Sequence, residues 1–208
     1  MSTPTRREGR NSASNCAVST EVSKPVQVLV VCTANTCRSP AAAQYLRHHA
    51  ERNGVELDVS SAGFRSAGHS ASDATSEVMG ERGFDLSPHR SQTLTCELVG
   101  AADLVVTMER RHVHDLAEMC GPRRIFTLPD AIAALAGVAP EVRSPRSRIA
   151  AAEDARERGD LPRGAHAEIE DPFGQSIDVN RRTAELLNQL TDELVQVLAP
   201  VASITAEP

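Results

Sequence analysis

Val26-Gln27-Val28-Leu29-Val30-Val31, running straight into Cys32-Thr33-Ala34-Asn35-Thr36-Cys37-Arg38-Ser39-Pro40, is the stretch that sets the fold class. Its first six residues are an almost unbroken run of Val and Leu, the composition of a strand buried on both faces. At Pro40 the periodicity changes. A proline in a first-turn position, followed by Ala42, Leu46 and Ala50 at i, i+4 spacing, opens an amphipathic helix.

The same alternation continues along the chain. Leu57 to Ser61 reads as a second strand, followed by a loop around Gly63 and Gly68. Ala74 to Arg82 reads as a helix that stops near Gly83. Leu104 to Thr107 is a third strand, Glu109 to Met119 a helix, and Arg124 to Leu128 a fourth strand. A last amphipathic helix, Val179 to Leu198, carries Leu186, Leu187, Leu190, Leu194 and Val197 on one side. Strands alternating with helices across short links predict an α/β fold, a parallel sheet wrapped by helices. No internal repeat interrupts it.

Two stretches fall outside the pattern. Residues 1–24 hold eight Ser or Thr and few apolar residues, and are expected to be a disordered tail. Arg6, Arg7 and Arg10 are followed by no apolar segment, so the tail is not expected to be a signal peptide. Between 137 and 168 the pattern dissolves into Pro, Gly, Arg and acidic residues, as in a surface insertion, partly helical near Arg148 to Arg158. The expected organisation is one domain, residues 25–200, with that insertion.

Composition narrows the function classes. A chain of 208 residues with 40% hydrophobic and 24% charged side chains can bury an ordinary core. With four Phe, one Tyr and no Trp, that core must be Ala, Val and Leu, and a ligand pocket has few rings to offer. A net charge of −6 argues against nonspecific nucleic-acid binding. No run approaches the roughly 18 apolar residues of a membrane helix. The cysteines at 16, 32, 37, 96 and 120 form neither a metal-like pair nor a dense disulfide framework, so a reducing cytoplasm is the expected compartment. Cys96 and Cys120 read as buried structural thiols. Neither His48-His49 nor His112 with His114 shares a helix face, so all four are expected at solvent-exposed positions, with no metal and no cofactor.

The loop itself carries the chemistry. Cys32 and Arg38 are spaced C-x5-R, a common spacing made informative by its place at the carboxyl end of a buried strand and the N-terminus of a helix. Ligands bind there in open α/β sheets. Successive N–H groups of Thr33, Ala34, Asn35, Thr36 and Cys37 can turn inward as an anion nest, with the helix dipole behind them. A thiol in such an electropositive setting is favoured as thiolate. Arg38 would present its fork to two phosphoryl oxygens, Ser39 would donate a hydrogen bond to Cys32, and Asn35 would brace the loop. This is the equipment of nucleophilic phosphoryl transfer through a cysteinyl-phosphate.

That reaction also needs a proton donor for the leaving group and then a base for water. Asp171-Pro172-Phe173-Gly174 precedes the last helix, and Phe173 is one of the few rings available to cover a pocket. The same four residues equally make an ordinary turn, and spacing does not decide between the two.

C-T-A-N-T-C-R-S-P resembles the phosphate-binding loop of the low-molecular-weight protein tyrosine phosphatase family, and D-P-F-G resembles its general-acid loop. Ser61-Ala62-Gly63, Gly83-Phe84-Asp85-Leu86-Ser87 with His89-Arg90, and Ala102 to Met108 stand between them in the family's order. The resemblance covers about 26–136 and 169–198. It implies a three-layer α/β/α fold with a four-stranded parallel sheet, a phosphorylated protein as partner, Cys32 as nucleophile, Arg38 as phosphate clamp and Asp171 as acid and base. The substrate-binding set it implies is Thr33, Ala34, Asn35, Thr36, Cys37, Ser39 and Phe173. One branch of the family dephosphorylates arginine, and this sequence looks closer to it. Thr36 stands where tyrosine-directed members carry a larger aliphatic residue, and Phe173-Gly174 replaces paired tyrosines.

Two departures from the family carry consequences. Ala34 replaces the usual Gly, which would strain the loop if that position needs an unusual backbone angle. The insertion before Asp171 is longer than in compact members. Two rivals share the loop: an arsenate reductase using a small external thiol, and a non-catalytic phosphate-binding module. A reductase that shuttles a disulfide internally would need two further closely spaced cysteines, and Cys96 and Cys120 are far apart in sequence.

Overall fold

The structure is a computed structural model that describes residues 24–122, 124–160 and 168–199. The tail expected over 1–24 lies, up to residue 23, outside the described residues, as does the 161–167 part of the expected insertion. In chain order the elements are β1 (Val26–Cys32), α1 (Arg38–Asn53), β2 (Leu57–Gly63), α2 (Asp73–Glu81), α3 (Cys96–Ala101), β3 (Leu104–Thr107), α4 (Arg110–Cys120), β4 (Ile125–Thr127), α5 (Leu128–Ala136), α6 (Pro145–Glu157) and α7 (Ile177–Leu198).

All strand pairings are parallel, and the order is β2-β1-β3-β4. Successive strand residues point to opposite faces, so the central strand feeds two cores. Val26, Val28, Val30 and Cys32 join Leu104, Val106 and Phe126 against α1, α5, α6 and α7. Leu29 and Val31 join Val105 and Ile125 against Val99 of α3 and Leu116 of α4. The result is the three-layer α/β/α arrangement with a four-stranded parallel sheet.

Strand order reverses at β1, since the chain leaves it toward β2 and returns on its other side as β3. The helices that follow β1 and β3 therefore lie on opposite faces, and their N-termini flank a crevice at the carboxyl ends of the two strands. Most of the longer helices are closed at their N-termini by a side chain: Ser72 for α2, Thr127 for α5, Ser144 for α6 and Ser176 for α7. Helices α1 and α4 have no such bond from their N-cap residues, so the first amides of each carry no side-chain cap from that position.

The stretch 137–168 holds α6, begun by Ser144 and Pro145 and anchored by buried Arg148, Ile149 and Ala152. Arg148 donates to the carbonyls of Leu135, Val142 and Val197, tying α6 to the ends of α5 and α7. Helices α3 and α5 had no counterpart in the periodicity. The first is six residues long, and the second runs on directly from β4.

Candidate active site

Cys32 ends β1, and the loop from Thr33 to Cys37 folds back beneath α1. Asn35 holds it there. Its φ of 55° makes it the one non-glycine residue with positive φ among the described residues, a conformation asparagine tolerates. Ala34 carries no such angle, so the strain considered for it does not arise. The buried Asn35 amide donates to Ser39 Oγ (2.8 Å) and Ser61 Oγ (2.9 Å), while its Oδ1 accepts from Gln92 N (2.8 Å). His89 Nε2 donates to the Asn35 carbonyl at 2.7 Å, since a carbonyl can only accept. Gly63 lets the loop approach β2: a Cβ there would stand 2.6 Å from Asn35 N.

The Asn35 bonds also orient Ser39. With its oxygen accepting from Asn35, the Ser39 hydroxyl directs its proton at Cys32 Sγ, 3.1 Å away. The Asn35 backbone N–H donates to the same sulfur at 3.3 Å. Two donors thus converge on Cys32 and stabilise negative charge there. The Cys37 thiol turns to the N-cap of α2 and donates to Ser72 Oγ (3.2 Å), and Ser72 N binds the Thr36 carbonyl (2.9 Å). The Thr36 hydroxyl is half-buried, with a 3.8 Å contact to Cys37 Sγ.

Arg38 is 1% exposed and held from several sides. Nη1 donates to Glu109 Oε1 (2.6 Å) and to the Ile169 carbonyl (2.9 Å). Nη2 donates to Thr33 Oγ1 (3.3 Å) and forms an ion pair with Asp171 Oδ2 (2.7 Å). Buried Nε has no protein partner. Asp171 thus meets the loop, although it lies 133 residues further along the chain than Arg38. Pro172 and Asn180, whose amide donates to the Pro172 and Ser176 carbonyls, fix its turn. Phe173 is 67% exposed. The structure therefore gathers Cys32, Thr33, Asn35, Arg38, Ser39 and Asp171, and turns the Cys37 thiol to Ser72.

The first turn of α4 supplies residues that the sequence reading did not assign. Arg111 binds Glu109 Oε2 through Nε (2.6 Å) and Thr33 Oγ1 through Nη2 (3.1 Å). Burial works against ionisation of Glu109, but the hydrogen bonds from Arg111 and Arg38, with the charges of Arg38 and His112, outweigh it and hold this carboxyl at about 2. Thr33 Oγ1 accepts from both arginines, so its own proton goes to His112 Nε2, 3.1 Å away. Burial, aided by Arg38 and Arg111 and opposed by Glu109, lowers the pKa of His112.

His112 corrects an expectation: it is buried and stacked on Phe64 (5.3 Å), not solvent-exposed. Buried His49, bonded to Asn188 and Asp192, corrects another. Both face inward because the inner faces of their helices reach polar groups there, which pairwise spacing of histidines does not reveal. Cys96 and Cys120 are also corrected. They are joined in a disulfide with Cα atoms 5.3 Å apart, Cys96 lies at the surface, and the bond ties the start of α3 to the end of α4. The folding back of α4 beside α3 brings them together despite their separation in sequence.

The model of low molecular weight phosphotyrosine protein phosphatases matches residues 27–152. A protein-arginine-phosphatase of Bacillus subtilis is 32% identical over 176 residues, 83% of this chain and 97% of its own length. The low molecular weight protein-tyrosine-phosphatase Wzb of Escherichia coli is 37% identical over 99 residues, 47% of this chain and 64% of its own length. Among solved structures, a YwlE mutant from Bacillus subtilis superposes with a TM-score of 0.65 at 30% identity, covering 82% of this chain and 97% of that one. The YwlE arginine phosphatase from Geobacillus stearothermophilus gives 0.62 at 30% identity, covering 83% and 92%. With the family's fold and a matching model over most of its length, this chain belongs to the low molecular weight phosphotyrosine protein phosphatase family and is a cysteine-dependent protein phosphatase.

Proposed function

We propose that the chain hydrolyses phosphoarginine in proteins in preference to phosphotyrosine, with Cys32 as nucleophile, Arg38 as phosphate clamp and Asp171 as acid and base. The Cys32 thiolate attacks phosphorus and the bond to the guanidino nitrogen breaks as Asp171 gives that nitrogen its proton. Water then attacks the cysteinyl-phosphate, Asp171 takes its proton, and inorganic phosphate leaves with the thiolate restored. Free Arg38 Nε, together with Nη2, is suited to two phosphoryl oxygens, and the uncapped amides of α1 to the rest of the anion. Thr33, Ala34, Asn35, Thr36, Cys37 and Ser39 line the anion through the loop, with Phe173 as an outer wall.

The observation that carries the substrate preference is Thr36, a half-buried hydroxyl in the phosphate loop. It offers a polar wall to a guanidinium where an aliphatic residue would offer an apolar one to a ring. The 32% identity to a protein-arginine-phosphatase over 97% of its length supports the same side. No helix among the described residues is long and apolar enough to cross a membrane. A nucleophilic thiol calls for a reducing compartment such as the cytoplasm, where the Cys96–Cys120 pair would be held open for much of the time.

The test compares turnover of phosphoarginine, phosphotyrosine and arsenate on one preparation, with Cys32→Ser as the blank. Phosphoarginine should lead, and Thr36→Ile should shift preference toward phosphotyrosine by about 1–3 kcal/mol. Wild type favouring phosphotyrosine, with no change in the Ile variant, would remove the arginine assignment. Leading arsenate turnover would instead favour the reductase.

A further inference from the structure

We propose that Arg111 is a positioning residue for Arg38, acting by competing with it for Glu109. The inference rests on Arg38 being the phosphate clamp. Arg111 is 57% exposed and lies on the first turn of α4. It grips Glu109 with two nitrogens, Nε to Oε2 at 2.6 Å and Nη2 to Oε1 at 3.1 Å. Glu109 is thereby left to meet Arg38 through one oxygen only, Oε1 to Nη1 at 2.6 Å.

An arginine and a carboxylate in free competition prefer a two-pronged pair with parallel N–H···O bonds. For Arg38 such a pair would engage a second nitrogen of the fork and turn it from the loop. The free Nε and the Nη2 edge are the groups an incoming phosphoryl dianion needs. Arg111 removes that option by occupying the second oxygen of Glu109. It reinforces the effect at Thr33, whose Oγ1 accepts from Nη2 of both arginines and so holds Arg38 to the loop. Arg111 itself need not touch the phosphoryl group.

The proposal separates from a simple contribution of positive charge at the mouth. Lysine keeps the charge but has no fork, so it cannot hold both oxygens of Glu109. Removing the charge of Glu109 should rescue the loss of Arg111, because a neutral amide is a weak competitor for Arg38.

The experiment measures inhibition by inorganic phosphate, together with kcat and KM, for wild type, Arg111→Ala, Arg111→Lys, the double variant Glu109→Gln with Arg111→Ala, and Arg38→Lys. Arg111→Ala and Arg111→Lys should both weaken phosphate binding and raise KM by about tenfold, and the double variant should recover most of the loss. Full affinity in Arg111→Lys would assign a charge role and overturn the proposal, as would additive loss in the double variant or no loss in Arg111→Ala. Phosphate binding unchanged in Arg38→Lys would instead show that Arg38 is not the clamp, which is a failure of the site assignment beneath the proposal. Circular dichroism spectra and melting midpoints matching wild type are required of each variant; an Arg111→Ala loss that tracks unfolding would count against the proposal.

Discussion

Asp171 Oδ2 lies 2.7 Å from Arg38 Nη2, so without ligand the acid-loop carboxylate rests against the guanidinium edge that a phosphoryl group would take. An arriving dianion competes for that edge, repels the carboxylate outward toward where the leaving group stands, and favours its taking a proton from water, the form that then serves as the acid. Asp171→Asn should therefore separate chemistry from binding. We expect kcat to fall by on the order of 10²–10³ for poor leaving groups and much less for good ones, with no loss of affinity for inorganic phosphate. Equal losses across a leaving-group series would place the acid elsewhere.

Asn35 spans the loop, β2 and the segment at Gln92 with one buried side chain. Asn35→Gly keeps the backbone angle but loses the side-chain hydrogen bonds to Ser39, Ser61 and Gln92 N, a cost of about 1–3 kcal/mol. Asn35→Ala adds the left-handed penalty, about 1 kcal/mol more. Both should also lower kcat, on the order of tenfold, because Ser39 is no longer held with its proton toward Cys32. Urea melts and turnover measured together check the ordering. Ala and Gly variants of equal stability would show that the angle at Asn35 carries no strain.

Stability should respond to acid in two steps. The pKa of His112 is lowered by burial from 6.5, so its neutral form stabilises the fold fully above pH 6.5, and that stability is lost as pH falls below it toward the folded value. The groups facing it are Glu109, Arg38, Arg111 and Asp115. Glu109, held at about 2 against an ordinary 4.5, contributes stability that is present above pH 4.5 and lost as pH falls through about 2. His112→Gln leaves an acceptor for Thr33 and removes the first step alone. Chemical denaturation between pH 7.5 and 5 should show a flatter slope for the variant, and identical slopes would exclude His112 as the group responsible.

The sheet was legible because its strands are written as local runs. Val26 to Val31 and Leu104 to Thr107 need no partner to be recognised, and the Ala and Leu stripe of α1 follows directly. Cys32, Arg38 and Ser39 were legible because one loop holds them all. Glu109, Arg111 and His112 were not: their link to the loop exists only once β3 lies beside β1. The signal available was position, Met-Glu-Arg-Arg-His at the carboxyl end of a sheet strand. Nor does the sequence state that Cys120 returns to Cys96, since that depends on how α4 folds back.

Because the Cys96–Cys120 disulfide ties α3 to the far end of α4, its removal should separate stability from chemistry. The first turn of α4 touches the loop, while Cys120 closes a helix of eleven residues, about 16 Å along its axis. Cross-linking residues 24 apart restricts the unfolded chain, which in the chain-entropy account stabilises the fold by about 3 kcal/mol. For a chain of this size that corresponds to about 6–12 °C in melting midpoint. Cys96→Ala should lose this increment and keep kcat within about twofold, and reducing agent should lower the wild-type midpoint by the same amount while leaving the variant unchanged. A wild-type midpoint insensitive to reductant would mean that the bond contributes nothing to stability in solution. A large loss of turnover with an unchanged midpoint would give the pair a part in the chemistry, the behaviour of an internal thiol shuttle.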